Sequence, residues 1–142
     1  MYDKDNVFAK ILRGEIPSTK VYEDAHVLSF MDAMPQSEGH TLVIPKTEAR
    51  NIFDIAPSAL AELIKATQYV ARGVQQAFQP DGMRLIQFNE PAAGQTVFHI
   101  HFHIVPCYAG KEIRMHAREF ADRAVLAGHA EKIRTALATL PR

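Results

Sequence analysis

From Phe98 to Ile104 every second residue is large and apolar, and every residue between them is a histidine. A period of two over this length predicts a β-strand, because successive side chains point to opposite faces of a pleated sheet. Val97, His99, His101, His103 and Val105 then share one face. Phe98, Ile100, Phe102 and Ile104 share the other and should face a core. Same-face neighbours stand about 6.6 Å apart along a strand, so the pattern places three imidazoles in a row.

The other elements follow from the same patterning. Asp5 or Asn6 can cap a short helix to about Arg13, with Phe8, Ile11 and Leu12 apolar and Gly14 as its stop. Lys20–Glu23 and His26–Met31 read as short strands, and Asp32 to Gly39 as a loop. The apolar run Thr41–Ile44 reads as a buried strand ended by Pro45. The clearest helix starts at a Ser58 cap. Leu60, Leu63, Ile64, Thr67, Val70, Ala71, Val74, Ala77 and Phe78 follow at helical spacing, up to the turn Gln79-Pro80-Asp81-Gly82. Met83–Phe88 is a strand, 89–94 a loop, the histidine strand comes next, and an amphipathic helix from about Ala121 to Leu137 closes the chain. Between them runs a mixed stretch with Lys111, Arg114, His116 and Arg118. About five mainly antiparallel strands, one long helix between the third and fourth, and short terminal helices make an α+β fold, not a repeating βαβ pattern.

Composition narrows the function. The 142 residues fit one domain, 1–142, with the last helix as a C-terminal extension. Sixteen basic and sixteen acidic residues cancel, which argues against a sequence-independent grip on nucleic acid and leaves room for a small anionic ligand. The lone Cys107 excludes an internal disulfide, and the opening Met-Tyr-Asp-Lys-Asp-Asn lacks the features of a signal peptide. No apolar run is long enough to cross a bilayer. The expectation is a cytoplasmic protein without membrane or nucleic-acid partners.

The histidine row admits three explanations. Imidazoles can be structural, but three of them together need partners if buried. They can hold zinc, since catalytic zinc takes three protein ligands. Against zinc, no Cys-x-x-Cys occurs, and His99 and His103 lie about 13 Å apart on a straight strand. His40 would be a distant extra ligand. Third, a neutral imidazole can attack phosphorus and form a covalent intermediate, with placed donors stabilising the charge that grows on oxygen. Gln95, Thr96 and the backbone near Gly94 stand close in sequence to supply such donors.

His99-Ile100-His101-Phe102-His103-Ile104-Val105 resembles the signature of the histidine triad (HIT) family of nucleotide hydrolases and transferases, and Gly94-Gln95-Thr96-Val97 resembles its lead-in. The likeness extends to Asn6–Asp24, to Phe30-Met31-Asp32, to Gly39–Lys46 and to Asn89, and so covers most of the chain.

The resemblance implies a role for each matching residue. His101 would attack the α-phosphorus of a nucleoside 5′-phosphate derivative and form a nucleotidyl-histidine that water releases. His99 and His103 would hold the phosphate or orient His101, Gln95 and Thr96 would contact phosphate or leaving group, and His40 would support the triad from behind. Asp32 would accept from the ribose hydroxyls, although by itself it reads as a turn former. Asn89 would hold the phosphate-side loop or ribose. Phe8, Ile11, Ile16 and Phe30 would line a purine pocket. His26, His116 and His129 match nothing and read as surface.

Two departures refine the resemblance. Zinc-bearing members carry Cys-x-x-Cys in the N-terminal helix, and here Asn6 and Ala9 occupy those positions, so no structural zinc is expected. The chain has no tryptophan and runs on to Arg142, like the longer bacterial members of the nucleoside phosphoramidase-like branch. The implied substrate is an adenosine phosphoramidate. The alternatives are a dinucleoside polyphosphate of the diadenosine tri- or tetraphosphate type, or a nucleotide-binding interaction protein whose hydrolysis is incidental. No cofactor is required, with Mg²⁺ accompanying only a polyphosphate substrate. A homodimer through the long helix and the 83–88 strand is implied.

Overall fold

The computed structural model describes residues 1–113 and 119–142. The elements are α1 (Val7–Leu12), β1 (Lys20–Glu23), β2 (Val27–Met31), β3 (Thr41–Pro45), α2 (Pro57–Phe78), β4 (Gly82–Ile86), β5 (Phe102–Cys107) and α3 (Arg123–Leu137), with a 3₁₀ turn at Pro91–Ala93. The strands form one antiparallel sheet in the order β1-β2-β3-β5-β4, so the α+β expectation holds.

Pleat alternation gives the sheet two different faces. Val27, Met31, Val43, Ile100 and Ile104 pack with Leu63, Val70 and Val74 of α2 and with Leu126, Ala130, Ile133 and Leu137 of α3. On the opposite face Leu28, Phe30, Leu42 and Ile44 pack with Phe8 of α1, flanked by Ile11, Leu12 and Val97. His103 pairs with Leu42 across β3 and β5, which puts it on the α1 face. The larger core anchors the sheet, and the smaller one carries the histidines.

Several boundaries depart from the pattern-based reading. The strand expected from Val97 begins only at Phe102. Its ladder partner β3 ends at Pro45, which has no N–H to donate, and the Pro45 carbonyl accepts from the His99 ring instead. The Ile100 N–H turns to the Ala49 carbonyl at 2.9 Å. Side chains still alternate through this irregular stretch, with Ile100 fully buried in the larger core. Ser58 does not cap α2: Ala56 occupies that position and Pro57 opens the helix, where its missing N–H costs nothing. In α1 it is Asn6 that caps, its side chain accepting from Ala9 N at 2.9 Å. β4 ends at Ile86 and α3 starts at Arg123 after an Asp122 cap. His129 is half-buried rather than fully exposed, packing edge-on against Phe78 at 5.0 Å and lying 3.6 Å from Glu38. His116 falls outside the described residues, as do Arg114 and Arg118.

α2 and α3 meet closely at Gly73. A Cβ there would stand 2.5 and 2.8 Å from the Leu137 side chain. Gly73→Val should therefore destabilise by about 1–3 kcal/mol through overpacking, read as a lower midpoint in urea with an unchanged slope. An unchanged midpoint would show that α3 shifts freely against α2.

Candidate active site

The site is built from three segments on the α1 face: the histidine stretch, the loop between β2 and β3, and the N-terminal segment. The second delivers Asp32 and His40 at its two ends. Gly39 makes its last turn at a φ of 89°, and any Cβ there would press on Phe78 and Pro106 at 3.1 and 3.2 Å. His40 and His99 are fully buried, His101 is 6% exposed, and His103 is half-buried.

Burial favours a partner for each enclosed ring nitrogen, and at least one nitrogen of every ring has one, which fixes the tautomers. The Gln36 N–H donates to His40 Nδ1 at 3.0 Å, so the His40 proton sits on Nε2. That Nε2–H lies between His103 Nδ1 at 3.0 Å and Asp32 Oδ2 at 3.4 Å. His103 accepts on Nδ1 and so carries its own proton on Nε2. His99 donates from Nε2 to the Pro45 carbonyl at 2.8 Å and accepts from the Tyr2 hydroxyl on Nδ1 at 2.5 Å. His101 donates from Nδ1 to the His99 carbonyl at 2.7 Å. The lone pair of His101 is therefore on Nε2. Its ring stands 4.9 Å from that of His103 and 4.8 Å from that of Phe8, centroid to centroid.

Electrostatics keep these rings neutral. Burial lowers His40, His101 and His103 to about 4, with the neighbouring imidazoles adding to the effect. His99 is lowered too, against the Pro45 hydrogen bond. Burial raises Asp32 to about 6, opposed by the hydrogen bond from Met34 N.

The remaining expected residues divide. Phe8 and Phe30 are buried and pack edge-on at 5.4 Å, and Phe8 lies against the His101 ring as well. Both belong to the smaller core beside the site. Ile11 and Ile16 are half-buried. Thr96 is exposed. Gln95 departs from the expectation that it contacts a ligand. Its Nε2 donates to the Arg50 and Val97 carbonyls at 2.7 and 3.0 Å, and its Oε1 accepts from Glu90 N at 2.8 Å and Asn51 Nδ2 at 3.4 Å. With both ends engaged it holds the loop. Asn89 does so through Oδ1, which accepts from Ile52 N at 2.9 Å and Gln87 Nε2 at 2.7 Å.

Sequence patterning missed a brace beside the triad. Glu90 adopts a φ of 76° and ψ of 157°, a region costly for any residue but glycine. Arg50 grips its carboxylate through two bonds of 2.7 and 3.0 Å and stacks on Phe98 at 4.2 Å, while Asn51 adds a third bond. Contacts between residues forty positions apart leave no local signal. Tyr2 was missed as well, although an aromatic residue in an otherwise polar opening segment was a visible clue.

Residues 13–110 match the HIT domain model. The chain belongs to the HIT family. Protein hit of Bacillus subtilis is 44% identical over 102 residues, 72% of this chain and 70% of that protein. A HIT-like protein involved in cell-cycle regulation from Bartonella henselae shares 49% identity and superposes with a TM-score of 0.89, covering 96% of this chain and 99% of that one. A zinc-bound histidine triad family protein from Mycobacterium smegmatis is 36% identical with a TM-score of 0.83, covering 94% of both chains. An adenylylsulfatase of Arabidopsis thaliana is 35% identical over 126 residues, 84% of this chain but only 64% of that protein. The HIT fold is that of nucleotide-binding hydrolases and transferases.

Two places in this HIT chain bear on metal. At the N-terminal helix the residues do not fit a thiolate site, since Asn6 spends its side-chain oxygen on Ala9 N and neither residue offers sulfur. Asp32, His40 and His103 do bring one ligand atom each within 4.8 Å of one another. The bond from Gln36 leaves the proton of His40 on the Nε2 that faces this cluster, so a metal would have to displace it.

The neutral rings set a pH dependence. As pH falls, the unfolded chain protonates its histidines near 6.5, while folded His40, His101 and His103 wait until about 4. Their contribution is complete above 6.5 and declines between there and about 4. Asp32 acts oppositely: folded, it takes a proton near 6 rather than 3.8, so its contribution grows as pH falls through that range. Three imidazoles outweigh one carboxyl. The Tm should drop between pH 6.5 and 4, and a level or rising Tm there would mean that the rings are charged in the native state.

Proposed function

We propose that the protein is a hydrolase acting at the α-phosphorus of a purine nucleoside 5′-phosphate derivative through a covalent nucleotidyl-His101 intermediate. The observation that carries this reading is the bond from His101 Nδ1 to the His99 carbonyl, which leaves an unprotonated Nε2. In the first step the Nε2 lone pair forms a bond to phosphorus, and the bond to the leaving group breaks with its electron pair. The leaving group takes its proton from solvent water. In the second step water adds to phosphorus, loses a proton, and the phosphorus–nitrogen pair returns to Nε2. The His103 Nε2–H donates to a phosphoryl oxygen as charge accumulates there. Asp32 has one oxygen taken by Met34 N, and its other serves the ribose diol.

The leaving group is an amine in our reading, making the substrate an adenosine phosphoramidate. A dinucleoside polyphosphate or the mixed anhydride named by the Arabidopsis relative places the same adenylyl group on the same nitrogen. No cofactor is required for the attack. Two copies pair through α2 and β4. β4 is an edge strand of the sheet, Leu85 and Ile64 are 49% and 44% exposed, and both line a cleft of about 570 Å³.

The test measures AMP release from adenosine phosphoramidate, diadenosine tetraphosphate and adenylyl sulfate, with and without chelator. His101→Ala should lower turnover by at least about 10³-fold while the fold persists. Undiminished turnover would remove the nucleophile. Loss of wild-type phosphoramidate turnover on chelation would revive a metal at Asp32, His40 and His103. Tight AMP binding with no turnover would favour a binding protein.

A further inference from the structure

His99 is the member of the triad with nothing left to offer a substrate. Its ring is fully buried, Nε2 is spent on the Pro45 carbonyl and Nδ1 on the Tyr2 hydroxyl. What it contributes to the site is its main-chain carbonyl, the acceptor that holds the proton of His101 on Nδ1. The position of that carbonyl depends on what holds His99. The backbone around it lies outside the ladder, because β5 starts only at Phe102. Its ring is therefore fastened at two points, one on the end of β3 and one on Tyr2.

The Tyr2 end is firmly placed. Its ring meets that of His99 edge-on, with centroids 5.7 Å apart. The segment behind it is tied to α1 by Asn6 N and Nδ2, which both donate to the Asp3 carbonyl, and by Arg13, which donates to the Lys4 carbonyl at 2.8 Å. The direction of the bond is fixed as well. His99 uses its only proton on Pro45, so the phenol must donate.

We propose that Tyr2 is a positioning residue for the nucleophile: its hydroxyl locks the His99 ring, and through the His99 carbonyl it holds His101 in the tautomer that attacks. Without the hydroxyl, His99 Nδ1 is a buried acceptor with no donor. The ring then gains by turning or by moving its proton, and the carbonyl moves with it. The inference rests on the hydrolase reading for its catalytic consequence but not for its structural one.

Long-range ¹H–¹⁵N correlation spectra of the imidazoles read the tautomers directly. In the 142-residue chain His99 should carry its proton on Nε2 and His101 on Nδ1. In Tyr2→Phe both rings should lose their single-tautomer pattern. The kcat should fall about tenfold with KM little changed. Placing 3-fluorotyrosine at position 2 restores a donor and should restore both spectra and rate. Loss of the phenol proton should give kcat an alkaline fall, and the more acidic fluorophenol should move that fall to lower pH, with Glu48, Asp3 and Arg13 as the charged groups around it. This arm keeps the ring and tests the idea even where the phenylalanine variant folds poorly. Unchanged His99 and His101 spectra in Tyr2→Phe, or an unmoved alkaline limb with fluorotyrosine, would overturn the role. Wild-type protein with the expected tautomers but no turnover of any nucleotide would instead overturn the hydrolase reading and leave the hold of Tyr2 on His99 intact.

Discussion

Everything at this site follows from the cost of burying imidazole. A ring nitrogen without a partner in a dry interior is expensive, and four histidines lie packed together here. No buried side-chain nitrogen or oxygen among the described residues is left without a hydrogen bond. Satisfying all of them leaves few free choices. Gln36 sets His40, His40 sets His103, Pro45 and Tyr2 set His99, and His99 sets His101. The chemistry is written in where the protons are forced to sit.

The sheet makes this arrangement affordable. Its α2 and α3 face carries most of the apolar burial, so the α1 face can give up area to polar groups and still be held in place. The loops add rigidity where the ladder stops. Arg50, Asn51, Gln95 and Asn89 tie the segment before α2 to the segment before the triad, and their bonds hold Glu90 in a backbone conformation it would not adopt alone. Gln95 thus acts in supporting the loop, which its place beside Thr96 in the chain had not suggested.

Much of this was legible in the residue order. Period-two alternation placed Ile100 and Ile104 in the core, and helical spacing placed Leu63, Val70 and Val74 there as well. The triad was visible because β pleat converts spacing into a shared face. What the order did not show is where ladder pairing fails. The alternation from Phe98 onward reads as strand, yet the backbone is paired only from Phe102, because the end of the neighbouring strand is a proline whose carbonyl the first histidine takes. The braces were equally hidden. A bond between residues 2 and 99, or 50 and 90, is a property of the folded chain and has no period to betray it.

The failure of the ladder is also what makes the three histidines unequal. In a continuous strand, His99, His101 and His103 would be equivalent positions with their backbone groups committed to neighbours. Outside the ladder the His99 carbonyl is available, and His101 Nδ1 uses it. A regular strand would have left His101 to choose its own tautomer, with the proton on either nitrogen. The irregularity removes that choice and directs the lone pair outward. His103, inside the ladder, is set differently, by the side chain of His40 rather than by a main-chain group. One residue is thus committed as an anchor, one as a nucleophile and one as a donor, from a sequence in which they are spaced identically. The distinction arises from the point at which β3 runs out.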